Sequence, residues 1–242
     1  MGEYGSRADG PDDSSPGLRR TVASEQTLDQ LRARVGAEVV SALVRSAELG
    51  FLGGMPVAEQ IDHSLGFVAA TELALDHRPS NVVDLGTGGG VPGLVLHSCW
   101  SEGRLVLLDG NQRRTEFLSL EVEGWGSASL EVVRGRAEEM GRDDRYRHRF
   151  EVVTARSFGP PGVTAECAAP LLSIGGVMVV SEPPGAFEAS RWPEDRLAEL
   201  GLSLDTRERF DHRFGFQVLR KTSGTPDRYP RRVGIPSKRP LF

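Results

Sequence analysis

Asn81 to Gly93 reads N-V-V-D-L-G-T-G-G-G-V-P-G. Val82 and Val83 open a short apolar run of the kind that forms a buried strand, and Asp84 and Leu85 close it. Gly86, Gly88, Gly89, Gly90 and Gly93 then fall within eight residues. Glycines this dense allow backbone conformations that a side chain forbids, and they let a ligand approach the main chain. A tight turn alone rarely needs so many. Pro92 suits the first turn of a helix, where its missing N–H is not needed, and Leu94, Val95 and Leu96 carry that helix on. Strand, glycine loop and helix start form the layout of a nucleotide-type cofactor site in an open α/β sheet.

Outward from this stretch, strands alternate with helices. Strands are expected at 104–109, 130–134, 150–155 and 176–181, with helices over 111–123, 161–172 and 186–200 and a short one within 135–149. Several strands are almost wholly apolar, which predicts a mostly parallel sheet covered on both faces. Two late strands, 202–210 and 215–221, predict an antiparallel hairpin at the edge. Upstream, Thr27-Leu-Asp-Gln30 fits a capping box. Leu28, Leu31, Val35, Val39, Leu43 and Val44 follow at helical spacing, and Gly50, Gly53 and Gly54 end that helix. A second helix spans 56–77, with Ile61, Leu65, Val68 and Leu73 on its apolar face. Residues 1–24 are rich in Gly, Ser, Asp and Pro and read as disordered. The expected organisation is a disordered tail to residue 24, a helical cap over 25–78, an α/β core over 79–222 and a basic, extended tail over 223–242, its prolines (Pro226, Pro230, Pro236 and Pro240) keeping it extended.

The 242 residues suffice for one large domain or a domain with appendages. No apolar run is long enough to cross a bilayer, and the N-terminus lacks the apolar stretch of a secretory signal. Cys99 and Cys167 lack metal-ligand spacing and read as reduced thiols of a cytoplasmic protein. His63, His77, His97, His148 and His212 lack it too, so no metal is expected. The chain reads as a monomer. Net charge is −5, yet residues 207–242 hold ten Lys and Arg against three Asp and Glu, a local +7 that leaves −12 on the other 206 residues. Such asymmetry suggests an acidic body with a basic arm able to meet phosphate; a merely solvated tail is the plainer alternative.

Two cofactors compete for the glycine loop. Gly88 to Gly93 satisfies G-x-G-x-x-G, and Asp109 ends the next strand about twenty residues on, so a dinucleotide reading is open. The other pattern is D-x-G-x-G-x-G, carried by Asp84, Gly86, Gly88 and Gly90. It resembles motif I of the class I S-adenosylmethionine methyltransferases, in which the strand ends in an acidic residue and the glycines pass beneath the methionine and ribose. A pyrophosphate site has no use for a carboxylate before its glycines, so the methyltransferase reading is favoured. Asp109 can accept hydrogen bonds from two ribose hydroxyls, or it can cap the helix beginning at Asn111. Ala137 and Glu138, after the third strand, could meet an adenine edge. Arg156 follows the fourth strand, at the end that faces the ligand crevice. A guanidinium there cannot serve as a base, but it can hold a phosphate or the acceptor edge of guanine.

Five stretches beyond the generic loop are more specific: the P-G at Pro92-Gly93; L-L-D-G-N-Q-R-R-T-E-F-L over 107–118; R-A-E-E-M; V-V-T-A-R-S-F; and R-Y-P-R-R-V-G-I-P-S-K-R-P-L over 228–241. Together they resemble the RsmG (GidB) family, bacterial methyltransferases that place a methyl group on N7 of a guanine in small-subunit ribosomal RNA. The resemblance implies a class I methyltransferase fold, Rossmann-like, preceded by two N-terminal helices. It implies S-adenosyl-L-methionine as cofactor, and ribosomal RNA or the small ribosomal subunit as partner. It carries cofactor contacts onto Gly86, Val91, Asp109, Gly110, Asn111, Ala137, Glu138 and Arg156, the last also the candidate catalytic residue. Arg113, Arg114, Arg228, Arg231, Arg232, Lys238 and Arg239 are candidates for RNA phosphate. The chain departs from the family where Ser181-Glu182-Pro183-Pro184 replaces a Lys-Gly, where an early Asn-Leu-Thr is not visible, and where a histidine and an aspartate of the second helix fall on Gln60 and His63. Guanine N7 has a lone pair ready to attack, so no general base is expected. Rival readings are a methyltransferase of the same fold with another RNA or a small-molecule substrate, and a non-catalytic RNA-binding relative.

Overall fold

The structure, a computed structural model, describes residues 22–23, 25–185, 189–211 and 213–242. The disorder expected for 1–21 and residue 24 falls outside them, as does His212. Elements run β1 (Val22–Ala23), α1 (Glu25–Arg32), α2 (Ala37–Glu48), α3 (Val57–Leu75), β2 (Asn81–Leu85), α4 (Gly93–Cys99), β3 (Arg104–Asp109), α5 (Gln112–Glu123), β4 (Leu130–Arg134), α6 (Ala137–Met140), β5 (Phe150–Ala155), α7 (Pro161–Ala168), β6 (Leu172–Glu182), α8 (Glu194–Glu199), β7 (Leu202–Phe210), β8 (Phe214–Lys221) and α9 (Ile235–Lys238). One sheet has the order β1-β7-β8-β6-β5-β2-β3-β4. All neighbours are parallel except β8, which runs antiparallel to both β6 and β7. The expected hairpin is therefore present, but its second strand slots inside its first. Val22–Ala23 pair with Arg209–Phe210 at the rim, so the end of the segment expected to be disordered adds an edge strand.

Strand residues alternate between two cores, as a period of two requires. Val82, Leu105 and Leu107 face one side with Leu43, Leu65, Phe67 and Leu94. Val83, Leu85, Val106 and Leu108 face the other with Ala165, Ala168, Leu171 and Leu197. Burial on both faces is what gives these strands their unbroken apolar runs. Each fully buried Leu, Val or Phe contributes roughly 1.5–3 kcal/mol, and the N-terminal helices share in that burial through the first core. Gly66 of α3 lets that helix lie close to the sheet: a Cβ there would sit 3.2 Å from the Cβ of Phe210 and against the ring of Phe216.

Three helices differ from expectation. The first, expected as one helix from Thr27, starts at Glu25 and breaks between α1 and α2. There the Arg34 guanidinium donates to Glu72 (2.7 Å) and to the Cys99 carbonyl (2.8 Å), and the Gly36 N–H donates to the Ser98 hydroxyl (2.8 Å). α7 stops at Ala168: Ala169 still has helical dihedrals (φ −54°, ψ −41°), but Pro170 has no N–H to donate to the carbonyl four residues back. In the 186–200 stretch, a 3-10 turn at Ala189–Arg191 gives way at Trp192-Pro193 before α8, and 186–188 lie outside the described residues.

The C-terminal segment differs most. Expected as an extended basic arm, it folds back over α7. Tyr229 is buried, Pro236 lies inside α9, and Leu241 and Phe242 pack on the second core. Arg231 pairs with the fully buried Glu166 (2.6 Å), so this candidate phosphate contact is spent inside the protein. Lys221, counted with the basic end, is 1% exposed and donates to the Leu200 carbonyl at 2.8 Å and to the Thr225 hydroxyl.

Candidate functional site

Strand order reverses between β2, which is followed outward by β3 and β4, and β5, which is followed by β6. Ligands of open α/β sheets bind at such a switch point, beyond the carboxyl ends of the strands. Two cavities open there. The smaller, about 130 Å³, is lined by Gly86, Asp109, Gly110, Arg136, Ala137, Glu138, Phe158 and Ser237, among others. The larger, about 370 Å³, has His63, Arg156, Phe158, Glu182, Arg213 and Phe214 in its wall. Phe158 borders both.

The glycine loop is braced from below. Asp84 is 0% exposed. Its Oδ2 accepts from the Gly93 N–H (2.9 Å) and its Oδ1 from the Thr154 hydroxyl (2.8 Å). Asp84, expected among the cofactor contacts, is thus sealed beneath the loop and fixes the start of α4 to the strand end. A Cβ on Gly93 would lie 2.8 Å from Asp84 Oδ2, so the glycine is what lets the helix come close enough for this bond. Pro92 takes the N-cap position, one residue before the first turn.

Burial holds the Asp84 carboxyl up at about 6, against the hydrogen bonds that favour its charge. Unfolded, it titrates near its ordinary 3.8. Between about pH 4 and 6 the folded state binds the proton more than the unfolded one, so this group's contribution to stability falls as pH rises through that window. Above it the ionised form costs about 3 kcal/mol. His63 acts in the opposite sense: burial first, then the charge of Arg156, depresses it to about 3. Its neutral form costs stability as pH falls below its unfolded value of 6.5. Asp84→Asn keeps an acceptor for Gly93 and gives Thr154 a donor, so it should raise the melting temperature at pH 7.5 and remove only the Asp84 slope. Asp84→Ala leaves two buried donors unpaired and should cost about 2–4 kcal/mol. Melts at pH 5 and 7.5 check both, and an Asp84→Asn protein with the wild-type pH profile would contradict the assignment.

Asp109 points upward into the smaller cavity's rim. Its Oδ2 accepts from the Gly88 N–H (2.9 Å) and its Oδ1 from the Asn111 N–H (2.7 Å). Each oxygen keeps a second lone pair. The cap of α5 is Asn111, whose side chain accepts from the Arg114 N–H (3.3 Å); Asp109 is free of that duty. Arg114 lies 3.8 Å from Asp109 and Arg113 lies over the Phe51 ring at 5.8 Å, so these two candidate phosphate contacts sit beside the loop. Glu138 is buried, accepts from the Gly234 N–H (2.9 Å) and lies 3.6 Å from the Arg136 Nε. Gly86 has φ +69°, and a Cβ there would lie 2.7 Å from the Phe158 ring. Neither cavity is lined by Gly88, Gly90, Val91 or Asn111. Gly88 and Asn111 act through Asp109, and Val91 packs on the first core.

Arg156 lies in the larger cavity. Among that cavity's charged groups, Glu182 is paired with Arg191 (2.8 Å) and receives the Trp192 indole N–H (2.6 Å), and Arg213 is paired with Asp211 (2.7 Å) and Asp62 (3.2 Å). Arg156 Nη1 is buried with no partner among the described residues, as is His63 Nδ1. Burial pushes the Arg156 guanidinium down, against the attraction of Asp84. His63 is 7% exposed and packs against Phe67, Phe214 and Phe216, with ring centroids 5.6, 4.8 and 5.4 Å away. Gln60 donates to the Met55 carbonyl (3.2 Å). Arg136, Phe158 and Ser237 were missed by sequence reading. The first two lie within motifs that were recognised, R-A-E-E-M and V-V-T-A-R-S-F, while Ser237 had no signal that separated it from the surrounding basic run.

These residues fit S-adenosylmethionine. Gly86 lines the smaller cavity where a Cβ would press on the Phe158 ring, Asp109 offers free lone pairs, and Glu138 adds a carboxylate to the same lining. Residues 58–187 match the GidB family model, described as rRNA small subunit methyltransferase G. Relatives of the name ribosomal RNA small subunit methyltransferase G include one from Synechococcus elongatus, 36% identical over 181 residues, 70% of this chain and 72% of that one. Another, from Thermotoga neapolitana, is 36% identical over 72% of this chain and 78% of that one. Among solved structures, the O-methyltransferase TomG from Streptomyces achromogenes, in complex with SAM, has a TM-score of 0.53 at 17% identity, over 78% of this chain and 91% of that one. The cofactor-bound Rv0187 from MTB has a TM-score of 0.54 at 17% identity, over 84% and 99%. These likenesses place the fold among the class I methyltransferases.

Proposed function

The chain belongs to the GidB family, rRNA small subunit methyltransferase G, and from that premise we infer that it transfers a methyl group from S-adenosylmethionine to N7 of a guanine in 16S ribosomal RNA. The observation that carries this is the smaller cavity, which brings together Asp109, held by two backbone N–H groups, Gly86 and Glu138. Calorimetry with S-adenosylmethionine and with NAD tests the cofactor half of the reading. Binding of the first and none of the second is expected; the reverse would return the loop to the dinucleotide reading.

When bound, S-adenosylmethionine supplies a methyl group on a sulfonium, already electrophilic. Guanine N7 brings its own lone pair, so the protein need not remove a proton; its task is alignment. Asp109 is placed to hold the ribose and Glu138 the adenine side. Arg156 lines the larger cavity, and its guanidinium suits an acceptor such as guanine O6, the neighbour of N7. The guanine becomes cationic on transfer; the Glu182 carboxylate in the same wall is paired with Arg191, so the charge it lends there is already offset. His63, held neutral, adds no positive charge. No step requires a metal ion, and we assign none; we also propose a cytoplasmic monomer.

Arg113, Arg114, Arg228, Arg232, Lys238 and Arg239 are proposed as phosphate contacts; Arg231 is not, because Glu166 holds it. Arg232→Glu with Arg239→Glu should weaken small-subunit RNA binding and flatten its salt dependence by about one unit of log–log slope for each phosphate no longer neutralised, with cofactor affinity unchanged. Binding titrations across salt concentrations check this, and an affinity indifferent to both the substitutions and the salt would remove the RNA role from this face.

A further inference from the structure

The C-terminal segment was expected to serve RNA, yet its polar contacts lead to the cofactor cavity. Arg147 fastens its start, donating to the Tyr229 carbonyl (2.9 Å) and the Thr225 carbonyl (2.9 Å). Arg231 fastens its middle: backbone N–H and Nε both donate to Glu166 Oε1 (2.8 Å each), and Nη2 donates to Glu166 Oε2 (2.6 Å) and back to the Arg239 carbonyl (2.7 Å). Phe242 fastens its end, its backbone so close to α7 that a Cβ on Gly162 would lie 2.6 Å from its carbonyl oxygen. Between these anchors the chain turns at Gly234, whose φ of +78° suits glycine. The Gly234 N–H donates to Glu138, and Ser237 borders the same cavity as Asp109 and Glu138.

We propose that residues 228–242 form a strap that is one wall of the cofactor cavity, with Ser237 contacting the bound cofactor and Gly234 orienting Glu138 toward it. This rests on the cofactor assignment above. A carboxylate has about four lone-pair sites, so Glu138 can hold Gly234 and still accept from the adenine amine. One group then serves strap and cofactor together. Ser237 is exposed and lines the same cavity, so its hydroxyl, both donor and acceptor, can meet polar atoms of the nucleoside. Strap closure and cofactor binding are therefore coupled, and each favours the other to the same extent.

Two experiments on the full-length protein test the strap. Arg232 and Lys238 offer trypsin sites within it. Saturating S-adenosylmethionine should slow cleavage there by about fivefold or more, as expected when a ligand binds only the closed form; cleavage indifferent to the cofactor overturns the proposal. Ser237→Trp, which fills the cavity from the strap side while leaving every anchor in place, should weaken S-adenosylmethionine binding at least about tenfold, or 1.4 kcal/mol, at unchanged melting temperature and RNA affinity. Wild-type affinity in Ser237→Trp also overturns it. If the wild-type protein itself fails to bind S-adenosylmethionine, the cofactor assignment falls, and the strap with it; a strap failure alone leaves wild-type binding intact.

Discussion

Gly86→Val should abolish cofactor binding, with an affinity loss of about a hundredfold or more and a matching loss of methyl transfer. The glycine sits at φ +69°, in the left-handed region that costs an L-residue about 1–2 kcal/mol and is worse for a β-branched one. Its Cβ would press on Phe158 at 2.7 Å, and that ring borders both cavities, so any relief moves bulk into the space a ligand needs. The damage is local, because β2 ends one residue earlier and Asp84 still holds Gly93. Gly110→Ala is the control: a Cβ there meets nothing nearer than 3.6 Å, and a loss within about threefold is expected. Calorimetry with S-adenosylmethionine reads both. Equal effects would mean that the Gly86 conformation does not shape the site.

Arg156→Ala should leave cofactor affinity nearly unchanged and slow single-turnover methyl transfer by about 10²–10³-fold, the scale of losing one preorganised donor in a water-poor site. The residue lines the larger cavity and not the smaller, and its Nη1 has no partner to lose among the described residues. Arg156→Lys keeps the charge but not the planar fork, and should recover only part of the rate. The pH profile adds a second check. His63, depressed to about 3, stays neutral from pH 6 to 8.5, so the wild-type transfer rate should show no histidine step from this residue. A loss of cofactor affinity as large as the loss of rate would make Arg156 a cofactor clamp instead.

Much of this fold was legible in the sequence for a physical reason. Strands β2, β3 and β5 are buried on both faces, so they read as largely apolar runs, and the ends of β2 and β3 are marked by Asp84, Asp109 and the glycines; β4, at the sheet edge, is only partly buried. What was illegible depends on partners distant in the chain. The break between α1 and α2 is fixed by Glu72, Ser98 and Cys99, far beyond the helix whose spacing ran straight through it. Arg231 looked like a phosphate ligand because nothing local reveals Glu166, sixty-five positions away. Asp84 carried the motif correctly, but the pattern D-x-G-x-G-x-G does not say whether the carboxylate faces ligand or loop; its hydrogen bonds to Gly93 and Thr154 do. Asp109 and Asn111 posed the same question at the next strand, and the geometry divides the labour, the first on the rim and the second at the cap. Arg156 could be aimed at the crevice from strand order alone, while its place in the larger cavity required the side chains of α3 and β8 around it.

The measurement that tests the central claim most directly is methyl transfer from labelled S-adenosylmethionine to purified small-subunit RNA and intact small subunits, with large-subunit RNA as control, followed by nucleoside analysis. Label recovered as 7-methylguanosine from small-subunit RNA and absent from the control is the predicted result. Label in another nucleoside, label in the large-subunit RNA alone, or no transfer by a protein that binds the cofactor would contradict it, and would turn attention to Gln60, His63 and Glu182 as marks of a changed substrate.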